Sequence, residues 1–91
     1  MGGSGRSFIS EYTISSANTW EYKTIVVVGD TSGTWEVTNN TGIQVFFSLT
    51  GGPSLQRTAG SWGTTADCSS NQTQLLQTLN ANWLVTGVQL E

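Results

Sequence analysis

Between Thr19 and Val28 apolar and polar side chains alternate, and the run ends in a glycine-bounded turn, GDTSG at 29–33, with Trp35 just beyond it. Trp20, Tyr22, Thr24, Val26 and Val28 fall on one parity, Glu21 and Lys23 on the other. A period of two gives a strand one face toward a core and one toward water. At Val27 and Val28 both parities are apolar, so this end is expected to be covered on both faces or to lie under a loop. A helix is excluded here, because Thr, Ile, Val and aromatic residues dominate and Gly29 stops the run.

The same criteria predict strands over residues 7–14, 42–50 and 82–90. Phe8, Tyr12 and Ile14 share a face in the first, and Ile43, Val45, Phe47 and Leu49 in the second, with Gln44 and Ser48 opposite. Those faces are the expected core. In the last segment Trp83 and Val85 take one parity and Leu84, Val88 and Leu90 the other, with Gly87 placed as a bulge or close-approach residue would be. Turn chemistry separates the segments: SSAN at 15–18, TNNTG at 38–42 and TGGP at 50–53. Residues 51–71 are polar, with Trp62 the large apolar group among them, and a loop of this length is often functional. Leu75, Leu76 and Leu79 fit one helical face, so residues 72–79 are expected to hold a short helix or 3₁₀ turn. Short strands joined by Gly and Asn turns imply an all-β fold, an antiparallel sandwich or jelly-roll fragment.

Ninety-one residues make at most one small domain, here residues 7–91 behind a flexible Gly-rich leader at 1–6. Charged residues are 10% of the chain, against roughly 25% in an average soluble protein. The surface must therefore be built of hydroxyls and amides, which suits extracellular or virion β-proteins. Six carboxylates against Arg6, Lys23 and Arg57 leave a net charge of −3, which argues against nucleic acid. Cys68 is the single cysteine, so no internal disulfide staples the fold. With a thin core and no staple, oligomerisation is the expected source of stability. The longest aliphatic run, Ile25 to Val28, is far too short to cross a membrane as a helix, and the N-terminus lacks the apolar stretch of a signal peptide.

Chemistry-bearing groups are few. Trp35 and Trp62 sit beside glycines and threonines at loop positions, where flat rings can stack on the apolar face of a sugar. Asp30, Asn39, Asn40 and Gln44 are candidates for polar contacts at the rim, although turn chemistry accounts for the first three as well. Trp20 and Trp83 lie within strands and are expected to pack inward. Glu21 and Glu36, each next to a tryptophan, are the one pair to consider for glycoside hydrolysis, which needs two acids on one cleft. With no histidine to complete an acid–base set, the expectation is no catalysis. Metal ligation reduces to a loop Ca²⁺ on Asp30 or Asp67, so no cofactor is expected. Cys68 has no activating histidine and is expected to be an inert thiol. Asn39 and Asn71 begin Asn-x-Thr sequons, expected by chance in so Asn- and Thr-rich a chain.

Three stretches, EYTISSANTWEYKTIVVVGDTSGTW at 11–35, TAGSW at 58–62 and VTGVQLE at 85–91, together resemble the carbohydrate-binding-like C-terminal domain of phage tail-fibre and other phage structural proteins. The resemblance spans nearly the whole chain. It implies a jelly-roll β-sandwich and a role in virion adhesion, with glycans or virion subunits as partners. In that family further strands precede the EYTI segment and a short tail follows the QLE. Neither is present here, so the chain is expected to correspond to the C-terminal half of a sandwich, completed by a second copy in a homodimer or higher oligomer. The alternative is a purely structural virion module with no small ligand.

Overall fold

A computed structural model describes residues 5–64 and 66–91. Its paired strands are four: β1 (Ser7–Phe8), β2 (Gln56–Arg57), β3 (Trp62–Gly63) and β4 (Cys68–Ser69). β1 lies antiparallel to β3, with Ser7 opposite Gly63 and Phe8 opposite Trp62. β2 lies parallel to β4, with Gln56 opposite Cys68 and Arg57 opposite Ser69. A parallel pair needs a long crossover between its strands. That crossover carries β3, which reaches back to the N-terminal strand and so joins the two ends of the paired region.

Arg57, in β2, ties three of these strands together. Its Nη2 donates to the carbonyls of Ser7 at 2.7 Å and Ser61 at 3.2 Å, and its Nη1 donates to that of Thr64. One guanidinium thus ties β1 to both sides of β3, while its Nε is buried without a partner. The amide of Gly60 donates to the Ile9 carbonyl at 2.8 Å and extends the join. Around this fork the buried residues are Ser7, Ile9, Cys68 and Ser69, with Cys68 only 2% exposed. Ser7 Oγ bonds the Thr64 carbonyl, and Ser69 Oγ bonds Glu11 and takes the Asn71 amide at 3.0 Å. Buried hydroxyls of this kind cost free energy unless satisfied, and both are.

Glutamines continue the pattern. Gln74 accepts from the Thr50 hydroxyl at 2.6 Å and the Gly51 amide at 2.8 Å, while its Nε2 and that of Gln56 both donate to the Gly51 carbonyl. Gln72 exchanges two bonds with Ser48, through the serine hydroxyl and the serine carbonyl. These clamps hold residues 48–51 against residues 72–74, beside the 3₁₀ turn Leu75–Gln77, which falls inside the segment where a short helix or 3₁₀ turn was expected. A second 3₁₀ turn, Pro53–Leu55, opens on the proline whose fixed φ suits a first helical position. The polar stretch 51–71, expected to be an irregular loop, therefore contains three of the four paired strands.

The three longest predicted strands behave differently. Residues 19–31, 41–52 and 81–91 run without a turn or bend, and the chain reverses or bends at 16–18, 32–33 and 38–40, inside the expected turns. None of the three belongs to a paired strand. Their apolar faces, expected to form the core, are exposed: Trp20 at 68%, with Val26, Val45 and Leu84 also open, as is Ile14 of the predicted strand 7–14. The physical reason is that no second layer among the described residues packs on them, since an apolar face is buried only by something packed on it. Trp83, expected to pack inward, is half-buried, its ring 5.1 Å from that of Phe47, which is itself 40% exposed. Gly87 has φ +63°, with open space around a would-be Cβ, so backbone conformation and not close approach accounts for it. Residues 1–4 of the expected leader lie outside the described residues; at its end, Arg6 is ion-paired to Asp30.

Candidate functional site

The GDTSG turn holds itself together through Asp30. One carboxylate oxygen takes the Ser32 amide at 3.1 Å, the short-range bond that makes aspartate a turn residue, and the other takes Arg6 Nε at 2.6 Å. The Asp30 side chain is 4% exposed. The hydrogen bond from Arg6, aided by the Ser32 amide and the guanidinium charge, holds its pKa below the usual aspartate value against the opposing effect of desolvation. Its backbone carbonyl then accepts the indole N–H of Trp35 at 3.1 Å. Two residues earlier the Val28 carbonyl accepts the indole N–H of Trp62 at 2.6 Å. Both indoles are thus pinned by their polar edge to the same short backbone segment.

Pinning brings the rings together. Trp35 and Trp62 meet edge to face at 5.8 Å and 84°, and Trp62 meets Phe8 at 5.7 Å and 62°. Such a geometry suits the ring quadrupoles. Trp35 and Trp62, both half-buried, border an open cleft of about 790 Å³ whose other walls include Tyr22, Ile43 and residues 89–91. Lys23 and Glu91, of opposite charge, line it as well, as do residues 24–29, and Tyr22 is 94% exposed.

Of the six residues singled out from sequence, the structure brings Trp35 and Trp62 to one cleft, with Asp30 behind Trp35 as its anchor. Asn39, Asn40 and Gln44 do not line it. Asn40 closes the next turn, where its Nδ2 reaches Glu36 at 3.5 Å and its amide reaches the Thr38 hydroxyl. Tyr22 and the C-terminal residues Gln89 to Glu91 were missed as lining groups. Tyr22 carried the same parity signal as Trp20, and nothing local in the C-terminal sequence announces which segment it will approach.

Neither glutamate of the considered catalytic pair has the environment of a proton donor. Glu21 is ion-paired to Lys23 at 2.9 Å and takes the amides of Ser15 and Ser16, which lower its pKa to about 2. Glu36 accepts from the hydroxyl and the amide of Thr38, and its pKa is likewise lowered. A glycosidase acid needs the opposite shift. Among the described residues no group of three metal-ligating side chains gathers, and no helix is long and apolar enough to cross a membrane.

Comparison with family models, curated proteins and solved structures found no match.

Proposed function

We propose that this chain is a non-catalytic carbohydrate-binding or adhesion module of a phage-like particle, half of a jelly-roll-like sandwich that contacts surface glycans through Trp35 and Trp62. The observation that carries the proposal is the pinned pair. With both indole N–H groups spent on the Val28 and Asp30 carbonyls, what the two rings can offer a ligand is apolar surface, and both residues line an open cleft. A pyranose presents an apolar face to such rings, and a surface rich in hydroxyls and amides supplies rim contacts. The sequence resemblance to phage adhesion domains supports the same assignment, and with it a location on a virion or outside a cell.

A glycan array tests it. Binding by the wild-type chain that disappears in Trp35→Ala, with the Arg57-centred core still folded by near-ultraviolet circular dichroism, supports adhesion. Absence of binding to every glycan overturns it.

The edge-to-face cluster of Phe8, Trp62 and Trp35 favours a second reading, a purely structural virion or assembly module in which the rings only pack. That reading expects Trp62→Ala to lower stability without changing any ligand interaction. Catalysis is set aside because both candidate carboxylates are held ionised by neighbouring donors.

A further inference from the structure

We propose that Arg6 is a positioning residue for the candidate cleft, fixing the ring of Trp35 through Asp30. A closed circuit of contacts carries the inference. Arg6 Nε donates to the Asp30 carboxylate at 2.6 Å, the Asp30 carbonyl holds the Trp35 indole at 3.1 Å, Trp35 meets Trp62, and Trp62 meets Phe8. Phe8 stands two residues after Arg6, so the circuit closes through the backbone of β1. Side chains at i and i+2 share one face of an extended chain. Here that face supports both cleft tryptophans: Phe8 bears on Trp62 directly, and Arg6 reaches Trp35 by way of Asp30.

Arg6 governs that carbonyl because the Asp30 side chain is both charged and almost wholly buried, one oxygen on the Ser32 amide and the other on Arg6. A buried carboxylate that loses its cation is costly, and the chain relieves the cost by wetting it. Asp30 reaches water when the GDTSG turn opens, and the opening turn takes with it the carbonyl on which the Trp35 N–H depends. The contact from Arg6 runs from one nitrogen to one oxygen, with no fork to reproduce, so a lysine can replace it. An asparagine at 30 still accepts from Ser32 but carries no charge, so it needs no cation.

Solvent exchange of the indole N–H protons, followed by NMR on the isotope-labelled chain, tests the proposal without any ligand. The chain has four tryptophans, each with its own indole signal. Arg6→Ala is expected to speed exchange at Trp35 about tenfold and to leave Trp20 and Trp83 unchanged. Arg6→Lys should keep the wild-type rate, and adding Asp30→Asn to Arg6→Ala should restore it. An Arg6→Ala chain in which Trp35 exchanges at the wild-type rate overturns the proposal. A double variant as fast as Arg6→Ala alone overturns it too, because Arg6 then acts by its bulk and not by covering the charge. So does acceleration at all four indoles together, the mark of a fold loosened as a whole. The consequence for binding rests on the glycan reading: a glycan held by the wild-type chain should be held about tenfold more weakly by Arg6→Ala, although neither ring has been removed. A chain that binds no glycan removes that reading and leaves the indole measurement to decide the positioning.

Discussion

At the residue scale the chain depends on a few side chains that bond to backbone carbonyls, and Arg57 is the chief of them. A lysine at 57 keeps the charge but has no planar fork, so it cannot reach the carbonyls of residues 7, 61 and 64 together. Arg57→Lys is expected to destabilise the fold by about 2 kcal/mol, read as a lower urea midpoint at unchanged slope. Gly51 offers a cleaner steric test. A Cβ there runs into the sulfur of the buried Cys68. Overpacking of this kind costs about 1–3 kcal/mol. Gly51→Ala should show that cost in the wild-type background and lose most of it in Cys68→Ala, where the obstructing atom is gone. Equal costs in both backgrounds would mean that the neighbourhood yields by some other movement.

At the scale of elements, residues 81–91 form a bend-free segment whose large ring, Trp83, docks on Phe47. Trp83→Ala should free the segment, and limited proteolysis should then cut within it severalfold faster while the Arg57-centred region stays resistant. The positions where the backbone changes direction were legible from the sequence, because Asn, Asp, Ser and Gly act locally: Asn18 does adopt a positive φ of 55° within the SSAN turn. Straightness of the segments between them was legible too, from β-branched content and alternation. Partnership was not. Alternation says that a face wants cover and is silent about what supplies it, so Tyr12, Ile14 and Val45 read as core yet stand open. The converse error befell residues 51–71, where burial is achieved by Arg57, Gln56 and Ser69 through hydrogen bonds, a signal to which hydrophobic periodicity is blind. At the cleft, tryptophans beside glycine turns were visible, whereas the approach of Tyr22 and Leu90 to them is a long-range event with no local mark.

For the molecule as a whole, acid is the sensitive variable. Glu21, Asp30 and Glu36 all have folded pKa values below their ordinary ones. A lowered carboxylate contributes stability that is complete above its unfolded pKa and is lost as pH falls through the folded one. The urea midpoint should therefore be flat above about pH 5 and decline below it, with the last part of the loss reaching toward the Glu21 value of about 2. Glu21→Gln should make the decline between about pH 4.5 and 2 shallower, since that interval separates the ordinary and the folded value of Glu21. The stitching around Arg57 has a calorimetric consequence. Unfolding raises the heat capacity mainly in proportion to the apolar surface it exposes, and polar exposure works in the opposite sense. A centre closed by guanidinium, amide and hydroxyl groups on carbonyls exposes little that is oily when it opens. The stitched centre should then melt with an enthalpy that changes little from cold to warm, measured as a small heat-capacity step in scanning calorimetry.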